Sequence, residues 1–280
     1  MTVSQDTIGE PRHRLVDGLS VRYAESGPGE EHALLLCPWP ESLYAYAPTW
    51  AALADRAHLV AVDLPGFGHS ERRDDLLAPR AMAEFVVRLA DAFGMPRPHA
   101  VGPDVGTAAL LFAAADHPGR FRSLVVGTGA TSYPLELGEP LSSWVSAPDL
   151  ESYRLRDPRE FVAAALANID PGYALPDRIR EDYLSAYDGD RFVESMRYVR
   201  AYPSELPVLA ELLPTIETPV QIIAGVRDTA IPPSNAEFLS DRLPHSKLDI
   251  IDARHFVWED NPTEYARLVT GWWAAQRAPA

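Results

Sequence analysis

With only one cysteine, Cys37, in 280 residues, the chain has no thiol for it to pair with. An intramolecular disulfide framework is excluded, as is any metal site that needs several thiolates. Basic residues are scarce beside acids: 25 Lys and Arg against 40 Asp and Glu give a formal net charge of −15. Holding a phosphate backbone takes clustered cations, and here the arginines are scattered, so no nucleic-acid partner is expected. Long apolar runs are missing too. No stretch approaches the length that spans a bilayer, and the N-terminal MTVSQDTIGEPRHR lacks the apolar centre of a signal peptide. The expectation is a soluble, cytoplasmic protein with no membrane partner. There is neither a dinucleotide-binding glycine pattern nor a cluster of metal-ligand residues, so no cofactor and no metal are implied.

What is present reads as ordinary globular protein, 46% hydrophobic and 23% charged. HRLVDGLSVRYAESG alternates apolar and polar residues around Asp17-Gly18, a pair suited to a tight hairpin turn. Short apolar runs follow at 33–37, 58–63, 99–103 and 121–126, separated by helix-like stretches near 79–93 and 105–116. Strands that alternate with helices and have no polar face belong to a parallel sheet covered on both sides, an α/β fold. From about 131 to 213 the pattern changes to helical periodicity with no strand-like run. It returns from 214, with strands at 219–225 and 247–252, a helix near 233–242 and a last helix from about Pro262. Residues 1–130 and 214–280 therefore read as one core, and 131–213 as a helical cap lying over the strand ends, where ligand crevices of such sheets lie.

Chemistry concentrates where three of these strands end. The run HAVGP enters Gly102-Pro103-Asp104-Val105-Gly106 and a helix begins at once. A sharp strand-to-helix turn needs small flanking residues and pushes its central side chain into the crevice, at a helix N-terminus that favours negative charge. Asp104 could serve there as a plain helix cap, although a cap would not require glycine on both sides. Asp228 follows the strand PVQIIAG, and His255 follows KLDIID. A histidine can take a proton from water near neutral pH, and a carboxylate on its other nitrogen fixes the tautomer. Asp104, His255 and Asp228 are the candidate catalytic residues.

The order of these elements resembles the α/β-hydrolase superfamily over nearly the whole chain: the opening hairpin, VAVDLPGFGHS at 60–70, the elbow at Asp104, the inserted cap, the acid loop and HFVWEDNP. No G-x-S-x-G occurs, and Asp in the elbow resembles the branch of epoxide hydrolases and haloalkane dehalogenases. That resemblance implies attack by Asp104 on saturated carbon, an alkyl-enzyme ester, and hydrolysis of the ester by water that His255 activates. It also implies an oxyanion hole made by the backbone N–H groups of Trp39 and Val105.

The chain departs from the family pattern in two loops. Cys37-Pro38-Trp39-Pro40 stands where His-Gly-x-Pro is usual, and Arg254 precedes His255 where glycine is common. Cys37 ends a buried-looking strand and is expected to pack; Arg254 either points outward or meets an anionic substrate group. Val105 occupies the position where haloalkane dehalogenases place a halide-binding Trp, and the helix after the elbow lacks the arginines of fluoroacetate dehalogenases. An epoxide hydrolase needs phenolic donors in the cap, and Tyr153, Tyr198 and Tyr202 are the candidates, the last two spaced to share a helix face. Trp39, Trp144 and Phe256 are candidates for apolar walls. The expected substrate is a small apolar molecule, and epoxide opening is the leading activity. Dehalogenation, a non-hydrolytic cyclase or isomerase, and ligand binding without turnover are the alternatives, and oligomeric state stays open.

Overall fold

In a computed structural model, which describes residues 8–276, the chain opens with a hairpin of β1 (Arg12–Val16) and β2 (Leu19–Glu25). Asp17 and Gly18 both have positive φ, 50° and 79°, as a two-residue hairpin turn requires. Then come β3 (His32–Leu36), α1 (Trp50–Ala54), β4 (His58–Val62), α2 (Pro79–Ala92), β5 (His99–Pro103), α3 (Val105–Asp116) and β6 (Ser123–Gly127). Six helices follow before the next strand: α4 (Leu141–Ser146), α5 (Glu151–Arg154), α6 (Pro158–Leu166), α7 (Asp177–Ala186), α8 (Arg191–Arg200) and α9 (Tyr202–Leu212). The chain closes with β7 (Val220–Gly225), α10 (Ser234–Ser240), β8 (Ser246–Ile251), α11 (Val257–Asp260) and α12 (Pro262–Ala275).

The strands form one sheet in the order β1-β2-β4-β3-β5-β6-β7-β8. β1 and β2 run antiparallel to their neighbours, and all pairings from β4 through β8 are parallel. Because β4 lies outside β3 while β5 lies on its other side, the winding reverses between β3 and β5. The loops leaving their carboxyl ends diverge there and open a crevice. Trp39 is on one of those loops and Asp104 on the other.

Burial follows the sequence pattern. Helix α2 buries Met82, Phe85, Val86 and Leu89, the one-sided spacing of a helix laid on a sheet. Helix α3 is buried over every residue from Val105 to Ala114. It has no polar face because the sheet, α2 and α9 all pack against it.

Asp63, at the end of β4 in DLPGFGHS, is fully buried and holds three segments together. It accepts from the backbone N–H groups of Leu43 (2.6 Å) and His69 (2.9 Å) and from the Arg22 guanidinium (3.2 Å). Arg22 also pairs with Asp182 of α7 at 2.6 Å, joining the sheet to the inserted helices. Burial raises the Asp63 carboxyl above its ordinary value, with Arg22 and the two N–H donors opposing. Removing Asp63 leaves Arg22 its Asp182 partner but takes the acceptor from the N–H groups of Leu43 and His69, and a buried donor left unsatisfied costs about 1–3 kcal/mol. Asp63→Ala is expected to lose about that much stability in urea unfolding, whereas an exposed acid such as Asp75 should lose almost nothing when replaced.

Candidate active site

The turn from β5 into α3 forces Asp104 to φ 52° and ψ −121°, a region that costs a non-glycine residue about 1–3 kcal/mol. Its N–H donates to the Gly127 carbonyl (3.0 Å), and its carbonyl accepts from Thr107 (3.0 Å). The Thr107 hydroxyl ties the same turn to the Gly102 and Gly127 carbonyls at 3.1 and 3.0 Å. Room is short at Gly102, where a Cβ would meet the Gly106 carbonyl at 3.0 Å and a Leu110 methyl, free to swing aside, at 2.6 Å. At Gly106 the expected crowding is absent: a Cβ there would meet Leu36 at 3.4 Å, an ordinary contact. The tight neighbour is instead Gly129, distant in sequence, where a Cβ would fall 2.4 Å from the Asp104 carbonyl oxygen.

The Asp104 carboxylate is 7% exposed and its two oxygens have different surroundings. Oδ2 accepts from the Trp39 N–H at 2.6 Å, and the Val105 N–H also donates to the carboxylate. Oδ1 lies 3.8 Å from His255 Nε2. His255 Nδ1 donates to Asp228 Oδ2 at 2.8 Å, and Asp228 Oδ1 accepts from the N–H groups of Ala230 and Ile231, both at 2.9 Å. Asp104, His255 and Asp228 thus come together from the ends of β5, β8 and β7, with Trp39 held over Asp104 by the loop after β3. The Trp39–Pro40 bond is cis. The Trp39 indole N–H donates to Ser195 Oγ of α8 (2.8 Å), and its ring stacks on Phe192 at 5.1 Å. Ser195 carried no signal in the sequence, since a lone serine inside a helix resembles any other.

Burial pushes the Asp104 carboxyl up to about 6, although the His255 charge and the two N–H donors oppose it. Burial works against the His255 imidazolium, but Asp228 and then Asp104 outweigh it and raise the ring to about 9. At neutral pH the resting pair is a carboxylate beside an imidazolium. Any reaction in which Asp104 attacks needs the carboxylate, so its rate should fall as pH drops through about 6. The Asp104 charge is one of the influences that keep His255 protonated, so neutralising it would favour the neutral imidazole. We expect the His255 ring to titrate lower in Asp104→Asn than in wild type, read from its imidazole NMR signals. An unchanged titration would show that Asp104 does not govern the base.

Asp104 and His255 both line a cavity of about 240 Å³. Trp39, Trp144, Phe161 and Phe256 supply aromatic wall, and Arg156 and Glu160 supply charge. Phe161 of α6 and Arg156, in the turn before it, were not picked out by sequence, because an apolar stripe with flanking charges reads only as a helix. The phenols need correction. Among the described residues no tyrosine lines this cavity. Tyr153 on α5 is half-buried against Phe161, with ring centroids 6.1 Å apart. Tyr198 is fully buried and donates to the Val105 carbonyl at 2.7 Å, so its polar tip is used in packing α8 on α3. Tyr202 does not share a helix with it: α9 begins at Tyr202, and Pro203 lacks the N–H that would extend α8. The two rings still touch edge to face at 6.0 Å. Tyr202 is 2% exposed, and burial followed by the Asp104 charge holds its phenol well above the usual range.

The two divergent loops also resolve. Cys37 is fully buried, its Sγ accepting from the Leu64 N–H at 3.2 Å, and burial raises the thiol. It packs and is not poised for attack. Arg254 is partly buried; its N–H donates to Asp260 Oδ2 (2.7 Å), and it lines a second recess beside His255 with Asn168 and Arg227.

A family model of the alpha/beta hydrolase fold matches residues 33–262. The chain belongs to this family. The putative carbamate hydrolase RutD of Caulobacter sp. (strain K31) is 32% identical over 222 residues, 73% of this chain and 76% of that protein. Haloalkane dehalogenase 2 of Mycobacterium bovis is 26% identical over 268 residues, 89% of this chain and 90% of that one. Among solved structures, Cfl2 from Burkholderia cenocepacia superposes with a TM-score of 0.83 at 23% identity, covering 94% of this chain and 95% of that one. The eight-stranded, mostly parallel sheet with flanking helices is the α/β-hydrolase fold, and this protein is a hydrolase of that family. Among the described residues, no helix is long and apolar enough to cross a membrane.

Proposed function

We propose that this α/β hydrolase opens epoxides with Asp104 as nucleophile. The observation that carries the reading is the division of labour within one carboxylate. Oδ2 already accepts from the Trp39 N–H, the Val105 N–H acts on the same carboxylate, and Oδ1 faces His255. Oδ1 attacks a ring carbon, the carbon–oxygen bond of the epoxide breaks, and the ring oxygen takes a proton as the alkyl-enzyme ester forms. Water that has lost a proton to His255 then adds to the ester carbonyl. The resulting oxyanion grows on Oδ2, where the Trp39 N–H is in place before the charge appears. Collapse releases a diol and leaves one water oxygen on Asp104. Attack on an ordinary ester would instead give a labile anhydride, which disfavours acyl transfer.

Tyr202 does not line the cavity, but it is the phenol on which the Asp104 charge acts, and it would have to turn toward the cavity to protonate the ring oxygen. Its hydroxyl has no hydrogen-bond partner among the described residues, and Asp104 is the charge acting on it. Residues 131–213 act as the cap, and the aromatic wall suits a small apolar substrate. The deciding experiment is turnover of an epoxide panel in 18O-labelled water, followed by peptide mass spectrometry. Label in the peptide holding Asp104 supports the ester route. Product without label overturns it and favours a general-base isomerase or cyclase.

A second reading, dehalogenation, has its own support. Trp144 lines the cavity and its indole N–H has no hydrogen-bond partner among the described residues, as a halide donor would require. The dehalogenase relative is in keeping with this. Chloride or bromide release from haloalkanes, with no diol from epoxides, would favour it.

A further inference from the structure

Behind the two catalytic loops lies a pair of acids that the reaction above does not use. Glu41 directly follows the loop bearing Trp39, and Glu259 lies in α11, just past His255. Both are fully buried. Trp258 Nε1 donates to Glu41 Oε2 at 2.9 Å, and the Tyr183 hydroxyl donates to Glu259 Oε1 at 3.0 Å. The other oxygen of each acid, Glu41 Oε1 and Glu259 Oε2, is buried and receives no donor. Trp258 directly precedes Glu259 in α11, so its bond to Glu41 brings the two acids side by side with an unpartnered oxygen each, and each acts on the other's carboxyl. Two carboxylates cannot bond, since neither donates. One proton between them turns one acid into a donor and gives the stranded oxygens a partner.

The surroundings favour keeping that proton. The charges acting most strongly on the pair, Asp104 and Asp260, are anionic, and the Cys37 thiol and the phenols of Tyr46, Tyr173 and Tyr183 lie about it. Burial raises both acids, Glu41 the further, because its neighbour Glu259 adds like-charge repulsion. The backbone at Glu41 is pinned separately, its carbonyl accepting from the Tyr187 hydroxyl at 3.0 Å. The Trp258 ring also meets Phe256, which adjoins His255 and lines the cavity, with centroids 5.8 Å apart.

We propose that Glu41 and Glu259 share one proton, and that this bond holds the loop carrying the Trp39 oxyanion donor against the loop carrying His255. They are positioning residues, and the inference rests on the hydrolytic reading only for what the two loops do. When the shared proton leaves, two buried like charges push the loops apart. Activity should therefore show an alkaline limb that belongs to the pair.

Glu259→Gln is the informative variant, because an amide keeps the donor and cannot titrate. The full-length protein would be titrated by infrared spectroscopy, with Glu41→Gln/Glu259→Gln subtracted to assign the carboxylic acid C=O band, and epoxide turnover followed against pH. Expected is an acid band at neutral pH that fades on alkalinisation, is absent from the double variant, and is accompanied by a limb that is lost in Glu259→Gln. Glu259→Ala should lower kcat well below Glu259→Gln at every pH. No acid band at neutral pH, or the same limb in Glu259→Gln as in wild type, overturns the proposal.

If wild type opens no epoxide, the epoxide reading fails while the pair is still judged by the band and by stability. A carboxyl raised in the folded state stabilises at low pH, and that contribution is lost as pH rises until the shared proton leaves. Wild type should therefore lose more melting temperature toward alkaline pH than Glu259→Gln. His255 titrates in both proteins, so the difference isolates the pair, and equal losses would again overturn it.

Discussion

Replacing Asp104 with Ala is expected to reduce turnover of any epoxide that wild type opens by on the order of 10⁴-fold or more, the scale of losing the nucleophile from a covalent mechanism. What remains would come from the cavity and the oxyanion donors alone. The variant should not be less stable. Asp104 is a buried carboxylate whose burial is unfavourable enough to raise it to about 6, and Ala removes that desolvation while leaving the same strained φ. A melting temperature equal to or above wild type, together with lost diol formation, would separate a chemical defect from a folding one. Retention of activity within about tenfold would mean that water attacks the substrate directly and Asp104 only orients it.

The same strain bears on what the sequence could reveal. The parallel sheet was legible because each of its strands is a short apolar run closed by a turn, and the hairpin because Asp17-Gly18 tolerates positive φ at both positions. The meeting of Asp104, His255 and Asp228 was legible for a related reason. Parallel strands all end at the same edge, so three polar residues just past three strand ends must lie near one another. The phenols were not legible, because helical spacing gives the face of a residue on its own helix and nothing about what that face meets. Tyr198 found the Val105 carbonyl and was absorbed into packing. Gly129 was invisible for the same cause: its close approach to Asp104 joins two different strand ends. Glu41 and Glu259 lie far apart in sequence, and only the fold makes two acids that would each be solvated in isolation into neighbours out of water.

Replacing His255 with Gln should separate the two half-reactions. Asp104 keeps its nucleophilic oxygen and both N–H donors, so an epoxide can still be opened, but no base remains to activate water, which is worth about 10²–10⁴-fold. The ester should accumulate to near stoichiometry on a time scale on which wild type has turned over many times. The choice of pH follows from the electrostatics. The His255 charge lowers the Asp104 carboxyl, so its removal leaves Asp104 needing a pH above about 6 to ionise. Trapping should therefore be poor in mildly acidic buffer and improve as pH rises, the reverse of what an acid-catalysed side reaction would give. Intact mass then separates the chemistries. Ring opening adds the whole epoxide and loses nothing, whereas displacement of a halide adds the alkyl halide less HX. An adduct of the first kind on the Asp104 peptide supports the epoxide reading. One that forms only from haloalkanes transfers the site to dehalogenation, with Trp144 as the first donor to replace. If neither adduct forms while wild type remains active, the covalent route itself is wrong.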